Sequence, residues 1–436
     1  MRLRSFIVLA ITLILVSCKS TTRVVYPEKK DKTSIPEIKN PERPDSTHHS
    51  KIVKQNKKDS VGNEVIKPDA NPVVIPTEKT KPNKHLKNNI KVAVALPMKG
   101  GYDVSRFVEF VNGMSLAGSL SGGTSTDRLD IHFMDIGNDN SAEKLASIKA
   151  ILDADIILGG YQTSQVKALA EIALSKAIPY ISLWNSSDDI VNHNPYFFQM
   201  KPSLEAYCSN MASYITKQLR PDLTIILLEG KNTKDASTID YFSNIYQKER
   251  INFKVVYGLG SVDWQTLFMN YNRIVVNIPN WDERQFVKKA LKQLIEAKKN
   301  KNLTVTGMPQ WASWDQADFT LFENCGLLVP IATSVDLNAP EVIIFQKNYF
   351  EKDGTWPTSE SFYGNDILYL IKTISSNLMK GDSFEPVNGY SAKYFSSYEF
   401  RPVVTRPGGE VPQLSYYRNQ SITIEKFEGG RFVTVR

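Results

Sequence analysis

From Lys91 onward the chain repeats one pattern, and that repetition limits what it can fold into: a short, nearly continuous apolar run, then a stretch with apolar residues at helical spacing. Residues 91–97 (KVAVALP) predict a strand, and 103–120 a helix whose inward face holds Val104, Phe107, Val108, Val111, Met114 and Leu116. Residues 129–136 alternate as a second strand, and Asn140 with Glu143 three positions on resembles a capping box. It leads a helix with Leu145, Ile148, Ile151 and Leu152 inward. Residues 155–158 predict the third strand, 163–177 the third helix, and 178–183 the fourth strand. Val166, Leu169, Ala170, Ile172 and Ala173 form the apolar face of that helix. Strands that are apolar throughout must be covered on both faces, which argues for a parallel sheet between helical layers.

The rhythm restarts after Lys201-Pro202. A helix at 203–219, a strand at 223–228, a helix after Asp235, strands at 253–257 and 273–278, a helix at 282–297 and a strand at 303–306 follow. About 345 residues are too many for one such core and suit two. Around 327–334 the pattern changes, and helices at 340–352 and 359–379 precede short strands at 394–397, 413–417, 421–427 and 431–435. Glu428-Gly429-Gly430 joins the last two as a hairpin. The expected fold is α/β: two doubly wound parallel-sheet lobes. Lobe 1 is expected at 91–200 and 333–388, lobe 2 at 201–332 and 389–436.

Two of these strands stop at the same kind of residue. The third runs into Gly159-Gly160-Tyr161-Gln162-Thr163-Ser164 and the fourth into Trp184-Asn185-Ser186-Ser187. In open α/β sheets ligands bind outside the carboxyl ends of the strands, where helix N-termini offer free N–H groups. Thr163, Ser164, Asn185 and Ser186, beside Tyr161 and Trp184, are therefore candidates for a ligand wall. The plainer reading makes Thr163 and Ser186 ordinary helix caps.

The N-terminus sets a compartment. Arg2 and Arg4 precede an apolar run at 6–16, the layout of an export signal and too short for a permanent membrane span. Leu15-Val16-Ser17-Cys18 resembles a bacterial lipobox, so 1–17 is expected to be removed and Cys18 acylated. Each buried CH₂ would add about 0.8 kcal/mol of membrane affinity. No acidic pair follows Cys18, and the expected place is the cell envelope, on the outer membrane facing the periplasm.

Residues 18–90 are expected to be a disordered tether. Positions 19–90 hold 16 Lys or Arg, 9 Asp or Glu, eight prolines and one aromatic residue, Tyr26, too little apolar surface to offset the entropy of ordering. As a flexible coil this stretch would span about 45–50 Å. It would act as a spacer or lie against anionic lipid or peptidoglycan. Residues 91–436 carry 35 basic and 37 acidic residues, so the positive balance belongs to the tether and no nucleic-acid partner is expected.

Catalytic and metal chemistry find little support. Three cysteines cannot make a disulfide scaffold, and with Cys18 in the anchor, Cys208 and Cys325 either pair or are separate thiols. Only His132 and His193 lie beyond the tether, and neither has the spacing of a metal ligand or a nucleophile–base pair. No Gly-x-Ser-x-Gly, phosphate-loop or Cys-x-x-Cys motif occurs. The chain reads as no enzyme, with no cofactor.

The stretch 157–182 (ILGGYQTSQVKALAEIALSKAIPYIS) resembles the type I periplasmic binding proteins, in particular their branched-chain amino-acid receptors. Phe197-Phe198-Gln199-Met200-Lys201-Pro202, Gly307-Met308-Pro309-Gln310-Trp311 and Phe362-Tyr363-Gly364-Asn365-Asp366 match in the same order, so the likeness covers 91–390. It implies two lobes joined by three crossovers and a hinge that closes over a small solute. It also implies that Thr163, Ser164, Asn185 and Ser186 fall where relatives hold an amino acid's carboxylate, with Tyr102 matching an aromatic of the first loop. Where those receptors place a Glu for the ligand's ammonium, this chain has Gln310, and a neutral amide cannot balance a buried cation. Trp184 is bulkier than the resemblance implies and would narrow the crevice. Asn280, Trp281, Trp311 and Trp314 are either a second pocket or core.

Two functional readings follow. One is a receptor that captures a small-molecule solute, an amino acid or related compound, and hands it to a transporter or sensing partner. The other is a scaffold of the same fold, acting through protein contacts in cell-wall synthesis.

Overall fold

The computed structural model describes residues 63–65, 88–99, 104–120, 129–187, 190–191, 193–230, 233–260, 262–281, 283–314, 318–381, 389–405 and 413–435. The signal segment, Cys18 and Tyr102 lie outside the described residues. Among the described residues no helix is long and apolar enough to cross a membrane.

The elements run in chain order as β1 (Asn63–Val65), β2 (Ile90–Leu96), α1 (Ser105–Leu120), β3 (Leu129–Asp135), α2 (Ala142–Ala146), α3 (Lys149–Leu152), β4 (Ile156–Gly159), α4 (Thr163–Lys176), β5 (Tyr180–Ser182) and β6 (Phe197–Gln199). A second series follows: α5 (Leu204–Tyr214), β7 (Leu223–Leu228), α6 (Thr233–Lys248), β8 (Phe253–Tyr257), α7 (Trp264–Phe268), β9 (Arg273–Asn277), α8 (Arg284–Lys298), β10 (Asn302–Thr306), α9 (Phe319–Cys325) and β11 (Leu328–Ile331). The chain closes with α10 (Pro340–Asp353), α11 (Ser359–Met379), β12 (Tyr390–Lys393), β13 (Ser397–Thr405), β14 (Gln413–Asn419), β15 (Thr423–Glu428) and β16 (Arg431–Thr434).

Two sheets result, in the orders β1-β13-β14-β6-β5-β4-β2-β3, with β12 on β13, and β16-β15-β11-β10-β9-β7-β8. The apolar runs read in the sequence are the strands buried on both faces. Val92 and Val94 of β2 enter one core cluster while Ala93 and Ala95 enter another. In β7, Ile225 and Leu227 face one way, Ile226 and Leu228 the other. The alternating run became β3, a sheet edge with partly exposed residues.

Several expectations are corrected. The strands at 390–419, expected in lobe 2, join the first sheet through the parallel pairing of β14 with β6; only β15 and β16 complete the second. These late strands pair antiparallel, β13 with β14 and β11 with β15, so both sheets are mixed. Short strands at the chain's end carry no sign of which open edge they will meet. The tether is not wholly without structure: Asn63–Val65 pairs with Val403, Val404 and Thr405, taking up the edge of β13. Ser141 rather than Asn140 caps α2, accepting from the Lys144 amide. Of the strand expected at 394–397, 394–396 form the turn between β12 and β13 and only Ser397 is in a strand. Cys208 and Cys325 are both free and buried in different clusters.

The chain passes between the sheets three times, near 200–203, 332–339 and 420–422. Asn419, fully buried, binds the first and third passages together: its Nδ2 donates to Met200 O (3.1 Å) and its Oδ1 accepts from the Ser421 amide (3.0 Å).

The first lobe's helical layer closes through α1 and α11. A Cβ on Gly113 would lie 2.0 Å from Ser361 O, and one on Gly364 2.1 Å from Phe110 O. The two backbones touch there, which only glycine permits. One turn on, Asp366 ties α11 to the turn before β13. Its carboxylate accepts from the amides of Phe395 (3.0 Å) and Ser396 (2.9 Å) and from the Tyr398 hydroxyl (3.0 Å). Burial pushes this carboxyl up to about 6, although those donors work the other way. The folded chain therefore favours the protonated acid. The stabilisation is complete below about pH 4 and is lost as pH rises through 6, a change on the order of 3 kcal/mol. Urea midpoints measured from pH 4 to 8 should show this slope in the wild type and lose it in Asp366→Asn.

Candidate functional site

In the first sheet β3 lies on one side of β2 and β4 on the other, so the carboxyl ends of β2 and β4 form its switch point. The turn after β4 is built on Gly159 and Gly160, at φ 108° and 68°. A Cβ on Gly159 would meet Ala95 O at 2.1 Å, so the turn presses against β2. Gln162, not Thr163, is the N-cap of α4. Gln165, buried one turn inside, accepts from the amides of Gln162 (3.3 Å) and Tyr161 (3.2 Å) and donates to Gly137 O (3.0 Å). Gln162 and Gln165 form the capping box of α4, so Thr163 has no capping duty, and it is exposed.

Its hydroxyl meets the second turn. Asn185 Nδ2 donates to Thr163 Oγ1 at 3.2 Å, while Asn185 Oδ1 accepts from the Ser187 amide at 2.9 Å. Ser186 and Ser187 are exposed, and among the described residues no helix begins at them. The two strand ends singled out by their hydroxyl and amide residues are thus joined side chain to side chain.

Under this rim lies an aromatic floor. Trp184 is 9% exposed, packed edge-on against Phe107 (5.1 Å), Phe110 (5.3 Å) and Tyr363 (6.4 Å between ring centroids). Its indole donates to Glu360 Oε2 at 3.0 Å. Glu360, at the start of α11, accepts on its other oxygen from Arg106 of α1, Nη2 at 2.6 Å and Nε at 3.3 Å. Arg106 Nη1 donates to the Tyr161 hydroxyl (3.1 Å). Burial pulls the Arg106 guanidinium down, but the Glu360 contact outweighs it and leaves its pKa raised. Lys201, from the first passage between the sheets, stands over the Tyr363 ring at 5.4 Å. A cavity of about 280 Å³ is bounded by Arg106, Tyr161, Trp184, Lys201 and the turn at 185–187.

The structure brings part of the expected residue set together. Tyr161, Thr163, Trp184, Asn185 and Ser186 come together, though Trp184 serves chiefly as floor. Ser164 is half-buried and does not line the cavity. Neither does Gln310, which lies in the second lobe on a 3₁₀ turn at Pro309–Ser313 with its Oε1 buried and, among the described residues, unpartnered. Trp311 is core rather than pocket: it is fully buried, stacked on Trp314 (5.1 Å), with its indole donating to Asn280 O (2.9 Å). Trp281 stands edge-on to Tyr207 at 6.2 Å. Arg106, Glu360 and Lys201 also stand at this site and were not read as candidates. The available signals were a charged residue beside the buried Phe107, an acid in the first turn of α11, and a lysine before the passage proline.

A second cavity of about 410 Å³ sits at the opposite end of the first sheet, among Lys91, Asp130, His132, Lys149 and Asp153. Its polar groups contact each other, His132 with Asp130 at 3.0 Å and Lys149 with Asp153 at 2.7 Å. Among the described residues no group of His, Cys, Asp and Glu could hold a metal ion.

No protein-family model matches the chain, and no curated protein resembles it in sequence. Solved structures share its fold. A putative branched-chain amino acid ABC transporter from Rhodospirillum rubrum matches with a TM-score of 0.56 at 15% identity, over 80% of this chain and all of that one. An ABC transporter substrate-binding protein from Desulfitobacterium hafniense matches at 0.53, and a complex from that organism with Leu at 0.51, both at 16% identity and over the same shares. The architecture is that of the type I periplasmic binding proteins.

Proposed function

We propose that this chain is a lipid-anchored envelope protein that captures a small polar solute against the wall formed by the turns after β4 and β5. The observation that carries this reading is the Asn185–Thr163 hydrogen bond, which joins two exposed hydroxyl turns at the rim of a cavity, at the sheet's switch point. Solved structures of this fold include solute-binding proteins of transporters, one of them with Leu bound. The solute would pass to a transporter or another envelope protein, with closure driven by contacts to both lobes.

Thermal melting of the purified protein against amino acids, organic acids, amides, peptides, nucleosides and wall fragments should reveal at least one compound that raises the midpoint. Thr163→Ala combined with Ser186→Ala should weaken that compound's binding by about 30-fold, as two hydrogen bonds of about 1 kcal/mol each would. The melting temperature without ligand should stay near wild type, because both residues are exposed. Unchanged affinity by calorimetry would move the site elsewhere. Acylation at Cys18 predicts palmitate incorporation that Cys18→Ser abolishes.

The scaffold reading draws on one observation. On α10 and the loop after it, Ile343, Ile344, Phe350 and Trp356 are 43–64% exposed, and Phe350 lies 4.9 Å from Trp356 between centroids. Exposed apolar groups in one region suit a protein contact. No stabilisation by any compound, together with an envelope protein crosslinked through residue 344, would favour this reading.

A further inference from the structure

Lys201 is a charged group in search of a partner. It is half-buried at the cavity, and among the described residues its ammonium makes no ion pair and no hydrogen bond, only the contact with the Tyr363 ring. A cation over an aromatic face gains about 0.5–2 kcal/mol. Taking an ammonium out of water costs several kcal/mol. The imbalance shows in its titration: burial draws the Lys201 pKa down, Glu360 raises it, and Arg106 lowers it again.

Glu360 is already committed, one oxygen to Arg106 and the other to the Trp184 indole. Arg106 is likewise answered by Glu360. None of the described residues lining the cavity is acidic. Among the described residues the wall therefore combines one positive charge without an ion-pair partner, serine hydroxyls able to donate, and the aromatic Tyr161 and Trp184.

Resting on the solute-capture reading, we propose that Lys201 is the counter-ion of the solute's carboxylate, and that the solute is an organic monocarboxylate with an apolar body and no α-ammonium. One ammonium balances one negative charge, whereas a phosphate would bring nearly two. An amino acid would place a third cation beside Lys201 and Arg106, with no carboxylate among the described lining residues to receive it. Lys201 selects for the anion and against its neutral or zwitterionic analogues.

Calorimetry on the full chain with two matched sets of probes tests this: 4-methylvalerate, 4-methylvaleramide and leucine; then benzoate, benzamide and phenylglycine. The carboxylate of at least one set should bind about 30-fold or more tightly than its amide and its amino acid. Lys201→Gln should weaken the carboxylate by a similar factor and leave the amide unchanged. Lys201→Arg should stay within about fivefold of wild type, since the charge is kept. Removing a half-buried charge that has no ion-pair partner among the described residues should not lower the melting temperature of Lys201→Gln, which separates lost binding from lost folding.

Leucine, phenylglycine or an amide bound as tightly as its carboxylate, or a carboxylate bound equally by Lys201→Gln, would overturn the inference and leave solute capture standing. Binding only of non-carboxylate compounds in the wider melting screen would do the same. If neither these probes nor any compound of that screen binds, solute capture falls and takes this inference with it.

Discussion

Gly364→Ala is expected to destabilise the first lobe by about 4 kcal/mol, above the usual range for an added methyl group in a core. The obstacle is backbone: the new Cβ would stand 2.1 Å from Phe110 O and 2.8 Å from Met114 N, and no side chain can swing aside to admit it. α1 and α11 must separate, which loosens the packing of Phe107, Phe110, Phe362 and Ile367 between them and the sheet. Gly118→Ala is the control. It is exposed, its Cβ would make ordinary contact with Leu368 at 3.8 Å, and in a helix the change should stabilise by about 0.5–1 kcal/mol. Urea unfolding followed by circular dichroism measures both. A Gly364→Ala midpoint equal to wild type would mean that the helices do not approach as described. The substitution also reaches the site, because α1 carries Arg106 and α11 carries Glu360. Separation of the helices should break that ion pair and lower affinity for any solute bound beside it.

Trp311→Ala should remove about 4 kcal/mol from the second lobe, in the range for deleting a fully buried large aromatic residue. The ring fills a place shaped for it. Gly307 lies beneath it, where a Cβ would fall 2.4 Å from the ring, and Phe322 stacks at 6.4 Å. Removing the indole also leaves Asn280 O without its donor. Trp311→Phe keeps a ring but not the N–H, and a loss of about 1–2 kcal/mol is expected from the hydrogen bond and the smaller volume. Thermal melting gives the sizes, and near-ultraviolet circular dichroism reports the loss of the Trp311–Trp314 stack. A wild-type melting curve for Trp311→Ala would return this tryptophan to the pocket reading.

Much of the architecture was legible. The apolar runs at 91–97, 155–158, 223–228 and 273–278 became central strands because a segment apolar throughout has no face to offer water. The turns at 161–164 and 184–187 were also legible, since a buried strand that stops at hydroxyls and amides must place them at the sheet's edge. Their junction was not. Nothing local in Asn185 says that it will bind Thr163 rather than cap a helix, and nothing in Gln165 says that it will pair with Gln162 as the capping box of α4.

The charged part of the site was least visible. Arg106, Lys201 and Glu360 belong to the first helix, the first passage and the last long helix, and each taken alone reads as a solvated surface group. The assignment of 390–419 to the wrong lobe has a related cause: β14 joins β6 through backbone groups that are the same in every residue. The glycines that let α1 and α11 touch were read only as part of helical stretches.

By itself the sequence determined the alternation of strands and helices, the division into two cores, and the strand ends where hydroxyls gather. These follow from hydrophobic period and backbone geometry, which act over a few residues. Tertiary structure alone decided which edges the last strands joined, that Trp184 would be floor, and that Lys201 would stand, among the described residues, without an ion-pair partner beside an acid already engaged. Those outcomes depend on what is brought near from far along the chain, and both the screening of a charge and the satisfaction of a donor are set by such neighbours.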